Sequence, residues 1–304
     1  MSPEARQESF FVPLPREDRL HVRHLWSQPD GPPVFLLHGS IENARVFYTR
    51  NGKGLGPYLA SRGFDVYAGD LRGRGDSVPP VSARSTTGQT AAIVEEIPAL
   101  ARAVAERRPG ARQHWIAHSW GGVLMAAHLA RFPERLPLVD SLTCFSTKRV
   151  IRITSLAKGL IINLMWDLLG RVSDAFVGYF PARFYRLGSD DESQSFHSDI
   201  VRWVRPNAPW VDSRDGFDYR AAARRIQYPP TLHLVGCADP FLGHPSDVRA
   251  FLLETGATRA EYRILGKRWG NRRDYGHIDI LTHPLAVEDH FPWVVEWLRN
   301  RRLP

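Results

Sequence analysis

The sequence predicts an α/β domain, a mostly parallel sheet with helices on both faces, interrupted once by a mostly helical insertion. Three observations carry this. Short apolar runs of strand length alternate with longer segments of helical spacing. The alternation stops near residue 148 and resumes after 216. The 304 residues are enough for one large core that carries an insertion.

In chain order, HVRHLW (21–26), PVFLL (33–37), FDVYAG (64–69), QHWIAH (113–118), LVDSLTCF (138–145), TLHLVG (231–236) and AEYRIL (260–265) read as strands. Between them GLGPYLASRG, AAIVEEIPALARAVAERR, SWGGVLMAAHLARF and PSDVRAFLLETG carry helix spacing, the last ending on a capping glycine. Such alternation implies parallel strands covered by helices on both sides. Residues 148–216 show no strand signal and are too long for a plain connection. The reading is therefore a core of 1–147 and 217–304, with 148–216 inserted as a cap.

Composition narrows the partners. The net charge is +8, but the arginines are scattered and form no run interleaved with aromatics, which argues against a nucleic-acid face. A solvated positive surface is the expectation, with room for a weak attraction to acidic substrates or a membrane surface. Cys144 and Cys237 each sit in an apolar strand-like context and are expected to be free thiols in a reducing compartment. The N-terminus lacks a basic stretch followed by an apolar one, and LIINLMWDLL (160–169) is too short to span a bilayer. The expected location is the cytoplasm.

The chemistry points to WIAHSWGG (115–122), where Ser119 lies at a strand–helix junction flanked by Ala117, Gly121 and Gly122. A sharp turn that lifts a serine hydroxyl above the sheet needs small residues on both sides, the pattern G-x-S-x-G. Here alanine replaces the first glycine and still meets the steric demand. A second strand ends in His38-Gly39-Ser40. Acyl transfer through serine needs N–H donors for an oxyanion, and the backbone N–H groups of Ser40 and Trp120 are placed to supply them. Asp70, Arg72 and Arg74, in GFDVYAGDLRGRGDS, are expected to form a structural network below the site.

In their order and spacing, LLHGS, GFDVYAGDLRGRGDS and IAHSWGG resemble the α/β-hydrolase superfamily, and NGKGLGPYLASRG and YGHIDIL are similar to its lipase- and esterase-like branch. The resemblance covers about 20–147 and 217–300. It implies the α/β-hydrolase fold and a Ser–Asp–His order along the chain. The acid then falls on Asp239, after the strand 231–236, because the slot after 138–145 reads STKRV and holds no carboxylate, while Asp140 lies at the wrong end of its strand. The base falls on His277 in YGHIDIL; His283, before a proline, reads as a cap.

The reaction implied is hydrolysis of a carboxylic ester through an acyl-enzyme, with a small-molecule substrate and no cofactor. No histidine pair has metal-ligand spacing, so no metal is expected. Serine at the elbow argues against dehalogenase and epoxide-hydrolase relatives, which place aspartate there. Hydrolysis of a thioester, amide or carbon–carbon bond, acyl transfer to an alcohol, and a non-catalytic binding module stay open. His38, Gly39 and His118 are candidate substrate contacts. So are Met165 and Trp166, in an apolar segment expected to roof a pocket lined from 156–180.

Overall fold

The computed structural model describes residues 5–153 and 170–301. One sheet holds β1 (Arg6–Pro13), β2 (Arg19–Trp26), β3 (Pro33–Leu37), β4 (Asp65–Gly69), β5 (Gln113–His118) and β6 (Val139–Phe145). Past a small pair, β7 (Tyr179–Phe180) and β8 (Glu192–Ser193), the sheet is completed by β9 (Thr231–Gly236) and β10 (Ala260–Leu265). The strand order is β1-β2-β4-β3-β5-β6-β9-β10, antiparallel at β1–β2–β4 and parallel from β4 to β10. This is the α/β-hydrolase architecture expected from the sequence.

β1 escaped the sequence reading for a physical reason. It is an edge strand with most of its residues exposed, so it lacks the apolar run that marks the buried strands. The inner strands are buried on both faces. Phe35 and Leu37 of β3 face one core with Trp115 and Ala117 of β5, while Val34, Leu36 and Ile116 face the other.

The described α-helices of four or more residues are α1 (Leu55–Ser61), α2 (Ile97–Arg107), α3 (Trp120–Arg131), α4 (Gly170–Val177), α5 (Gln194–Trp203), α6 (Tyr219–Ala223), α7 (Pro245–Thr255), α8 (Asp279–Thr282) and α9 (Phe291–Asn300). A π-helical turn, Ala92–Glu96, leads into α2. Gly256 caps α7 at φ 72°, the left-handed conformation that glycine adopts without strain. α2, α3 and α7 pack with the first core; α1 and α9 pack with the second. Among the described residues no helix is long and apolar enough to cross a membrane. Both cysteines are free.

Because β3, β5, β6, β9 and β10 run parallel, their carboxyl ends share one rim. His38, Ser119, Lys148, Asp239 and His277 all follow those ends, on the edge where open α/β sheets bind ligands. Within the inserted stretch the described elements are α4, the β7–β8 pair and α5.

Candidate active site

Ser119 sits on the turn between β5 and α3 with φ 49° and ψ −120°. A non-glycine residue in this region carries strain, ~1–3 kcal/mol, that the surroundings must hold. The small neighbours explain how. A β-carbon on Gly121 would strike the carbonyl oxygens of Leu37 and His38, and one on Gly122 would strike Thr147. One on Gly39 would come within 2.9 Å of Ser119 Cβ. Glycine at these positions lets three backbones meet around one hydroxyl.

The structure brings Asp239 and His277 to that hydroxyl. His277 Nε2 lies 3.0 Å from Ser119 Oγ, and His277 Nδ1 lies 2.6 Å from Asp239 Oδ2. Burial pushes the Asp239 carboxyl up, but the hydrogen bond and charge of His277 and the Gly243 N–H hold it below its ordinary range. The His277 imidazole is held below its ordinary value. Burial does most of this, and the neighbouring charges of His118 and Lys148 add to it, against the pull of Asp239. A neutral imidazole beside a serine oxygen, with a carboxylate fixing its tautomer, can accept the serine proton.

Ser40 and Trp120 both line the adjoining cavity. Trp120 is the first residue of α3, where a backbone N–H has no intrahelical partner. Glu192 from β8 holds the other loop. Its carboxylate accepts from Ile41 N at 2.6 Å and from Ser40 Oγ at 3.3 Å, and it pairs with the Arg74 guanidinium. Asp190 accepts from Gly75 N at 2.8 Å. The insertion is thereby tied to the loops that follow β3 and β4. Asp70 and Arg72 are also in structural contacts. Asp70 accepts from Ala44 N at 2.7 Å, and Arg72 pairs with Asp18, Glu95 and Glu96.

A second histidine–carboxylate pair lies beside the first. Glu42 Oε1 accepts from His118 Nδ1 at 2.6 Å and also from Gly39 N. His118 Nε2 donates to the His277 carbonyl at 2.9 Å, so both ring nitrogens donate and the imidazole is cationic. Burial opposes both charges. Their mutual attraction wins, raising His118 and lowering Glu42 from their ordinary values. Glu42 carries no local motif, and the sequence reading missed it.

The cavity at Ser119 has a volume of about 520 Å³. Ile41, Val46, Ile151, Leu187, Leu242 and Ile278 give it apolar walls. The proposed substrate contacts need correction here. His38, Gly39 and His118 do not line it. His38 is fully buried, donating from Nδ1 to the Gly39 carbonyl and accepting at Nε2 from Leu71 N at 3.0 Å. His118 is fully buried and spends both nitrogens on Glu42 and His277. Met165 and Trp166 lie outside the described residues. The expected lining from 156–180 extends into that segment as well. Of its described part none lines the cavity, and Phe176 is 87% exposed. The described walls from the insertion are instead Lys148, Ile151, Leu187, Gly188, Ser189, Ile200 and Val204.

The family model for the alpha/beta hydrolase fold matches residues 32–223, well over half of the chain. The chain belongs to the α/β-hydrolase family. This α/β hydrolase is 35% identical over 146 residues to a Mycobacterium tuberculosis protein named "Probable oxidoreductase EphD". The match covers 47% of this chain and only 22% of that relative, most of which therefore has no counterpart in the alignment. Among solved structures it is similar to the Pyrococcus furiosus esterase Pf2001, with a TM-score of 0.59 and 16% identity over 98% of this chain and 92% of that one. It is also similar to the haloalkane dehalogenase DbeA from Bradyrhizobium elkani, with a TM-score of 0.56 and 18% identity over 98% of this chain and all of that one. At these identities the likenesses speak for the fold.

Proposed function

We propose that this α/β hydrolase cleaves carboxylic esters through Ser119, His277 and Asp239. The observation that carries the reading is the unbroken chain of contacts from Asp239 through His277 to Ser119 Oγ, on the wall of an apolar cavity. His277 Nε2 takes the proton from Ser119 Oγ as that oxygen attacks the ester carbonyl carbon. The oxyanion rests on the N–H groups of Ser40 and Trp120. Collapse breaks the bond to the alcohol, which leaves with the proton from His277. Water then gives a proton to His277, attacks the acyl-enzyme and releases the acid, returning the proton to Ser119.

Residues 148–216 act in this reading as the cap. Apolar walls suit a medium-length acyl chain, each buried methylene contributing about 0.8 kcal/mol. A serine nucleophile arrives with a proton and needs a base within reach, which fits acyl transfer better than displacement of a halide by a carboxylate.

The test is labelling with a fluorophosphonate, followed by mass mapping, together with p-nitrophenyl esters from acetyl to octanoyl. The expected result is a label on Ser119 alone, hydrolysis with kcat/KM rising toward medium chains, and turnover lost in a folded Ser119→Ala variant. Wild-type turnover in that variant would refute the assignment of Ser119.

A further inference from the structure

Among the described residues, four with ionisable side chains that carry charge or move protons line the cavity: Glu42, Arg45, Lys148 and His277. Three are committed. Glu42 is paired with His118, Arg45 with Asp76, and His277 with Asp239. Lys148 is 7% exposed and follows β6, the strand between those that carry Ser119 and Asp239. Among the described residues its ammonium has no hydrogen bond and no ion pair. Its contact is with the face of Trp120, whose ring centroid lies 5.8 Å away.

A buried ammonium without a hydrogen-bonded partner is costly, because desolvation penalises the charge and leaves three donors unmet. Asp239 and Asp247 lie close enough to favour that charge, yet neither reaches ion-pair distance. Asp239 is spent on His277, and Asp247 accepts from Arg152 N at 3.1 Å. A donor left open on the wall of a cavity whose other described cation, Arg45, is already paired is a recognition element for an anion.

We infer that Lys148 forms an anion subsite, so that the preferred substrate is an ester carrying a carboxylate on its acyl or alcohol half. The inference rests on the ester-hydrolase reading above. The apolar walls hold the methylenes, and Lys148 holds the distal carboxylate as the ester reaches Ser119. Burial holds the ammonium below its ordinary value, at about 8, against the opposing pull of Asp239 and Asp247. The groups facing it are therefore Asp239 after β9, Asp247 on α7 and His277 after β10. A lysine with a lowered value is charged below about pH 8 and neutral above it, so anion selectivity belongs to the lower side and fades as pH rises through that point.

The experiment compares p-nitrophenyl hydrogen glutarate and 4-carboxyphenyl butyrate with p-nitrophenyl and phenyl butyrate. It uses the wild type, Lys148→Met and Lys148→Arg. The expected ratio of kcat/KM, anionic over neutral, favours one anionic ester roughly 10- to 100-fold in the wild type. Which of the two is favoured tells whether the carboxylate lies on the acyl or the alcohol side. The ratio collapses in Lys148→Met, is partly kept in Lys148→Arg, and declines in the wild type above about pH 8. A ratio that is flat in the wild type, or identical in the Met variant, would overturn the subsite. Calorimetry of glutarate against butyrate on Ser119→Ala separates the two proposals. If no ester is hydrolysed the hydrolase reading fails, while glutarate binding that disappears in Ser119→Ala/Lys148→Met still establishes the subsite. Glutarate binding no tighter than butyrate refutes it.

Discussion

Two histidine–carboxylate pairs sit side by side at the rim of the sheet, their imidazole centroids 4.8 Å apart, and they are wired differently. In Asp239–His277 one ring nitrogen is left for Ser119, and the surroundings hold the ring below its ordinary value, neutral and ready to accept a proton. In Glu42–His118 both nitrogens donate to protein groups and the ring is held charged. The chemistry of the two pairs is the same. What differs is the third contact, a hydroxyl in one case and a backbone carbonyl in the other. The second pair thus holds the His277 carbonyl and places a positive charge beside its ring.

The sharpest way to break this comparison is to remove each carboxylate's charge in turn. Asp239→Asn is expected to leave the fold intact and to lower kcat by on the order of 10⁴, because the amide no longer fixes the tautomer that exposes a bare Nε2. Glu42→Gln should cost far less turnover, since no reacting atom touches Glu42. Equal losses from two folded variants would mean that the pairs are not distinguished by the contact to Ser119.

How much of this was legible in sequence follows the same division. Ser119 occupies a slot that local pattern defines, an apolar strand running into a serine with small flanking residues, while Asp239 and His277 were reached through the chain order that the family resemblance implies, in the loops after two late strands. Their convergence needed only the parallel order of the strands. Glu42 and Glu192 act through contacts 76 and 151 residues distant in sequence, to His118 and Ile41, and nothing near either residue announces them. Lys148 lay in plain view, in the slot after β6 that holds no carboxylate. Its meaning depends on burial and on what its neighbours already bind. His38 and His118 read as pocket residues because of their place in the motifs. Only their saturated ring nitrogens reveal that they face inward.

A smaller effect separates charge from geometry in the second pair. His118→Gln can still donate a hydrogen bond to the His277 carbonyl but removes the positive charge beside the His277 ring. That charge lowers the His277 value, so its loss must raise it. The acid limb of kcat/KM, which reports the free enzyme's base, should move to higher pH, with the plateau reduced by no more than roughly tenfold. An unmoved limb would show that His118 contributes position alone. A limb displaced downward would contradict its cationic state.

The smallest effect is expected where the pairing recurs without the rim. His114 Nε2 lies 3.7 Å from Asp140 Oδ2, between the early parts of β5 and β6, away from their carboxyl ends. Here burial, with Arg301 and Arg112 nearby, drives the His114 imidazole down to about 3. It is therefore neutral across the working range, and its Nδ1 is taken by Ser141 Oγ at 2.8 Å. Asp140 itself pairs with Arg112 at 3.4 Å and with Arg301, so its charge ties the C-terminal helix to the sheet. Asp140→Asn should lower the melting temperature slightly, by the worth of partly exposed ion pairs, ~1 kcal/mol or less. Ester turnover per folded molecule should stay within about twofold of the wild type, as for a surface substitution remote from the reacting atoms. A loss approaching that of Asp239→Asn, in a variant that remains folded, would transfer the acid's role to β6 and undo the assignment of the pairs. Unchanged turnover would show that proximity of a carboxylate to an imidazole is common in this molecule, and that only its place at the carboxyl rim turns it to chemistry.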